Sequence, residues 1–145
     1  MGEHWDRVVA SGVVAVPNPR CTELPPEGLL EGIRLFNAGE YYACHHALEA
    51  IWMAERDPIR YVYQGVLQIG VGFYHLGRGN WRGATLLLHD GIDKLHYFQP
   101  ACLQIDTARL AAEASVCLVE LHTLGRDRVA AFDLALIPQV HLLTP

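Results

Sequence analysis

The chain has 145 residues, of which 51% are apolar, and carries a formal net charge of −5. That size fits one compact domain with its own hydrophobic core. The acidic balance and the lack of a Lys/Arg cluster exclude a phosphate-backbone binder, so no nucleic-acid partner is expected.

Of the four cysteines, Cys21, Cys44, Cys102 and Cys117, no two stand in C-x-x-C spacing. Three fall in or near apparent helices, where a free cysteine behaves as a small buried hydrophobe. A reduced, cytoplasmic protein is the simpler expectation. Glu3 and Asp6 occupy the place of a basic signal-peptide n-region, and no small-residue cleavage site follows Val8–Val16. The uncharged run from Tyr61 to Gly77 is too short for a membrane span and contains two glutamines, a histidine and four glycines. It reads as a buried helix, with no membrane partner.

Trp5 to Val16 fits either a short helix that fails at Gly12 or an extended arm. Pro17, Pro19, Pro25 and Pro26 make the next stretch a stiff, non-helical leader. Pro26 and Glu27 then open a helix, since proline fits a first turn and an acid there complements the helix dipole. Leu29, Ile33 and Phe36 follow at helical spacing, and Gly39 suits a left-handed cap, giving a helix of about 26–38. A second helix, about 40–56, collects Tyr41, Cys44, Leu48, Ile51 and Trp52 on one face. It ends before Pro58, with Asp57 placed to cap the next element.

The third helix, about 58–76, carries three stripes. Val62, Val66, Ile69, Phe73 and Leu76 form the core pattern. Gly65 and Gly72 are nearly aligned beside them, at a propensity cost of roughly 1 kcal/mol each, which close approach of another backbone would offset. Gln64, Gln68, Val71 and His75 form a polar stripe next to that contact. Gly77-Arg78-Gly79-Asn80 breaks the chain, and Asn80 caps a fourth helix reaching about Phe98. Asp106 caps a fifth, with Leu110, Ala114, Cys117, Leu118 and Leu121 as its buried stripe. Beyond Gly125 the chain reads as a tail, extended around Leu136–Leu143. No strand-like alternation is long enough for a sheet, so the fold class is all-α. It divides into an arm and Pro-rich leader (1–25), a helical domain (26–125) and a tail (126–145).

FNAGEYYACHHALEAIW, followed by QGVLQIGVGFYHLGRGNWRGATLLL, resembles the signature of the bacterial and archaeal family known as domain of unknown function 309. The matching positions are Phe36, Asn37, Tyr41, Tyr42, His45, Leu48, Glu49, Trp52, Gln64, Gly65, Gln68, His75, Gly79, Asn80, Gly83 and Ala84, within about Leu29–Leu95. Many members carry a glutamate after the histidine, where this chain has His46. The resemblance implies a small bundle of three core helices, here flanked by N-terminal and C-terminal helices. Its members are often labelled predicted metal-dependent hydrolases.

The residues that could carry chemistry sit on the second and third helices. His45 and Glu49 are four apart and project from the same side. With His75 they would make a two-histidine, one-carboxylate set for a divalent metal, zinc or iron, with Gln68 as a weaker oxygen donor. Such a metal could activate water for hydrolysis of a small substrate. The bland alternative is that Glu49 orients His45 and both bond across to Gln68 or His75, satisfying buried polar atoms and fixing register. Tyr41, Tyr42, Trp52, Gln64, Asn80 and Arg82 would line such a site. Asn80 is better explained by capping, and the His89-Asp90 dipeptide matches the metal-binding HD dyad only superficially. The leading expectation is a non-catalytic structural module, or one binding a small molecule or partner, with self-association open to it. The metal-dependent hydrolase is the alternative.

Overall fold

The computed structural model describes residues 2–144. Six α-helices follow in chain order among the described residues: α1 Gly2–Ala10, α2 Glu27–Asn37, α3 Tyr41–Ala54, α4 Arg60–Gly77, α5 Trp81–Leu95 and α6 Thr107–Leu124. The only β pairing among them is two isolated bridges, Cys102 with Ile105 and Ile105 with Leu142. The protein is all-α. Among the described residues, no helix is long and apolar enough to cross a membrane.

The helix ends obey local chemistry. After α2 the chain turns through Gly39, whose φ of +76° is the left-handed conformation glycine adopts without a Cβ penalty. Asn80 Oδ1 accepts the Gly83 N–H at 2.9 Å to start α5, and Asp106 Oδ1 accepts the Arg109 N–H at 3.0 Å to start α6. Asp57 does cap a turn, accepting the Ile59 N–H at 2.8 Å, but α4 begins only at Arg60.

From α2 to α6 each helix packs on the next, most extensively α4 on α5. The glycine stripe explains that pair. A Cβ on Gly72 would lie 3.0 Å from Leu88 Cγ, and one on Gly65 would lie 3.3 Å from the Gly91 carbonyl oxygen. The partner supplies its own gap, because a Cβ on Gly91 would come within 2.7 Å of the Gly65 carbonyl oxygen. The same device joins α2 to α3, where a Cβ on Gly32 would sit 2.3 Å from Leu48 Cδ2.

Both chain ends are drawn onto this bundle. The ambiguous N-terminal stretch is helical as α1, and Trp5 anchors it with only 4% of its surface exposed. Trp5 Nε1 donates to Asp93 Oδ2 at 3.1 Å, its ring meets Tyr97 edge-on at 5.5 Å, and Lys94 Nζ lies 5.0 Å from its centroid. Burial pushes the Lys94 ammonium below its ordinary range, opposed by Asp90 and Asp93. The tail is not simply extended, since it makes 3-10 turns at Arg126–Ala131 and Leu134–Leu136 and buries Phe132 and Val140 in the common core. Asn37 fixes it from α2: its Nδ2 donates to the Val140 carbonyl at 3.0 Å and its Oδ1 accepts the Val140 N–H at 2.7 Å.

The cysteines require a correction. Cys21 and Cys102 form a disulfide, with Cα atoms 4.2 Å apart and a sequence separation of 81. Spacing could not reveal the pair, because the leader and the loop before α6 meet only through tertiary packing. The bond removes the support that free cysteines lent to a reduced, cytoplasmic protein. In the loop-closure model, a crosslink of this span stabilises by about 4 kcal/mol through the unfolded chain. The leader is held elsewhere too: Arg20 pairs with Glu23 and Glu55, and Asn18 Nδ2 donates to Asp57 Oδ1 at 3.3 Å. Cys44 and Cys117 remain free and buried.

Denatured without reductant, the chain should therefore take up two alkyl groups, on Cys44 and Cys117, and four after reduction. Mass spectrometry after iodoacetamide treatment counts them, and four labels without reductant would contradict the disulfide. Gly91→Ala should destabilise the fold by about 1–3 kcal/mol in urea titration, because its methyl group meets backbone that cannot yield. An unchanged midpoint would mean that α4 and α5 are not in such contact.

Candidate functional site

A cavity of about 220 Å³ lies between α3 and α4, with Leu87 of α5 in its lining. From α3 it receives His45, Glu49 and Trp52, one turn apart in succession. From α4 it receives Gln64, Leu67, Gln68 and Val71. The His45–Glu49 pair forms the rim: His45 Nε2 donates to Glu49 Oε2 at 2.8 Å, and the two side chains are 32% and 46% exposed.

Deeper in, polar groups lack partners. Gln68 is 5% exposed, and its Oε1 has no hydrogen-bond partner among the described residues. The buried Nε1 of Trp52 is in the same state. A buried polar atom left unpaired costs about 1–3 kcal/mol, and such atoms are rare in native proteins. Trp52 is held in place despite this. The Arg60 guanidinium stacks over its ring at 4.2 Å and Nη2 donates to its backbone carbonyl at 3.1 Å.

The other expected site residues go elsewhere. His75 does not line the cavity. Asn80 Nδ2 donates to His75 Nδ1 at 3.2 Å, and Asn80 N–H donates to the His75 carbonyl at 2.9 Å. The imidazole also fills the space that a side chain on Gly83 would need, its Cγ lying 2.8 Å from a Cβ built there. His75, Asn80 and Gly83 thus lock the α4–α5 turn. Seven residues separate His75 from Gln68, which is about 10 Å along a helix, so a shared stripe does not bring them to one site. Tyr41 packs edge-on against Phe36 at 5.5 Å and lines a different cavity, with Phe73 and Ile137; burial raises its phenol pKa. Tyr42 is 60% exposed and lies against His46 and Tyr74. Arg82 is exposed, as is His89, whose Nδ1 is 3.4 Å from Asp90.

A metal set of His45, Glu49 and His75 does not fit this arrangement. Among the described residues, no three His, Cys, Asp or Glu side chains are grouped so as to hold an ion. His45 and Glu49 supply two donors and spend one atom each on their mutual hydrogen bond. A cysteine nucleophile is not at hand either, since burial pushes the Cys44 thiol up to about 12 and the Cys117 thiol up to about 11. Sequence reasoning missed Leu67 and Leu87 as walls, because apolar residues on a helix carry no mark that separates core from cavity.

Residues 29–87 match the model of the family described as Domain of unknown function (DUF309). No curated protein matches the chain.

Asn80→Ala should cost about 1 kcal/mol in chemical denaturation through loss of the α5 cap, while leaving the cavity intact. A variant as stable as the parent would remove the structural role assigned to the His75–Asn80 contact.

Proposed function

We propose that this chain, whose residues 29–87 match the DUF309 family model, is a non-catalytic helical module that binds a small molecule between α3 and α4. One observation carries this: the buried Gln68 amide, at a cavity wall, has an oxygen with no partner. A group that only fixed helix register would be bonded to the helix opposite, as His75 is bonded to Asn80. The His45–Glu49 pair, partly exposed at the mouth, acts as the polar rim that orients what enters.

The alternative, hydrolysis by a metal-activated water, needs a third strong donor beside His45 and Glu49. His75, two turns beyond Gln68 and bonded to Asn80, is not available for that role without a rearrangement of the α4–α5 turn.

Thermal melts with and without a chelator separate the two. For the binding module, the parent melts identically in both, and purified protein holds no stoichiometric metal. Gln68→Met, which keeps volume and removes the unpaired amide, should then be as stable as the parent or more stable by up to about 1–2 kcal/mol. A chelator-induced fall in melting temperature, matched by loss of bound metal and absent in His45→Ala, would establish the metal site instead.

A further inference from the structure

A second cavity lies between the start of α3, the end of α4 and the C-terminal tail, and shares no lining residue with the first. We infer that it is a separate binding site for a monocarboxylate with a ring-sized apolar body, held by Arg78. Its volume is about 390 Å³, inside the roughly 300–1,000 Å³ usual for small-molecule sites. Tyr41, Phe73 and Tyr74 supply aromatic surface, and the tail contributes Leu134 and Ile137. The tail is tied down on both sides of Ile137. Asn37 holds Val140 through two hydrogen bonds, and Cys117 Sγ donates to the Leu136 carbonyl at 3.3 Å.

Gly77 shows that the space is kept open. It is the last residue of α4, and its φ lies outside the left-handed region that favours glycine. A Cβ built there meets nothing within 4 Å, so packing does not demand glycine either. Gly65 and Gly72 of the same helix differ, since a Cβ on either would press on α5. Gly77 follows Phe73 by four residues and Tyr74 by three, so it projects between the two rings that line the cavity. Glycine is a poor helix former, and what it leaves here is volume beside those rings.

Charge selects the head group. Arg78 is the one lysine, arginine or acid in the lining. Among the described residues no carboxylate lies within ion-pair distance of it. Its guanidinium sits 5.7 Å from the Tyr74 ring centroid, and Nη1 donates to Tyr74 Oη at 3.5 Å. The remaining guanidinium N–H groups are free for a carboxylate, and the Tyr74 hydroxyl keeps its own hydrogen to donate. The acids next to the lining in sequence are Glu40 and Asp133. Glu40 acts on Arg34, and Asp133 Oδ1 accepts the Ala135 N–H at 3.0 Å. Helix dipoles largely cancel, because α2 and α4 end here and α3 begins here. An ammonium ligand would meet Arg78 with no lining carboxylate to offset the repulsion.

Phenylacetate, phenylacetamide and 2-phenylethylamine share a ring and differ in the charge of the head group. Each is titrated at pH 7 into the full chain and followed by two-dimensional amide NMR. Phenylacetate should shift the Gly39, Tyr41 and Gly77 amides, and bind about fivefold or more tightly than either other probe. Arg78→Gln should erase that preference, leaving phenylacetate no tighter than phenylacetamide. Gly77→Leu should fill the cavity, weaken phenylacetate about tenfold and leave the melting temperature unchanged or raised. Should either variant not fold, the other variant and the ranking of the probes on the parent decide. Equal or tighter binding of the amide or the amine would overturn the carboxylate assignment. No phenylacetate binding at millimolar concentration, or binding indifferent to Gly77→Leu, would overturn the site. Shifts confined to His45, Glu49 and Gln68 would place the probe in the α3–α4 cavity and likewise overturn this second site.

Discussion

The close contact of α4 with α5 is the constraint on which the rest depends. Gly65, Gly72 and Gly91 remove the side chains that would hold the two backbones apart, and Leu88 and Leu95 fill what remains. Three helical glycines cost propensity, of order 1 kcal/mol each, and the return is dispersion contact along much of a long buried helix. Beside that glycine stripe, Gln64, Gln68 and Val71 of α4 line the cavity together with Leu87 of α5 and His45, Glu49 and Trp52 of α3. The close backbone contact and the cavity occupy neighbouring stripes of one helix.

The polar residues of the family signature divide between two tasks. His75, Asn80 and Gly83 build the α4–α5 turn, with the asparagine serving both as helix cap and as partner to the imidazole. Asn37 ties the tail to α2 through both of its amide groups. These groups satisfy one another. Gln68 Oε1 and Trp52 Nε1 have no such partner among the described residues, and both residues line the cavity that His45 and Glu49 rim. The difference between satisfied and unsatisfied polar groups separates architecture from site more sharply than residue type does.

The segments outside the helical signature act as a strap. The disulfide joins the leader to the loop before α6, Arg20 reaches Glu55 at the end of α3, and Asn18 reaches Asp57 just before α4. These ties hold the α3–α4 corner, close to Trp52 and Arg60, from outside. Trp5 docks α1 against Tyr61 of α4 and against Asp93 and the buried Lys94 of α5. A small bundle gains from such closures, because its core alone buries a modest share of its surface.

The all-α class, the helix order and the helix ends at Gly39, Asn80 and Asp106 were legible in the sequence, because caps, breaks and apolar spacing act over one or two turns. The glycine stripe on α4 was legible as well, since such a run needs a close neighbour. Spacing alone put His45 with Glu49 on one side of α3 and Gln64 with Gln68 on one stripe of α4. Spacing could not tell that His75 belongs to the turn beyond, that Leu87 arrives from α5, or that Cys21 meets Cys102. Those facts depend on which helix lies opposite which, and that is decided by summed packing over the whole core rather than by any local run of residues. The sequence by itself determined the elements and their ends; the tertiary structure decided which of their polar groups found partners and which were buried without one.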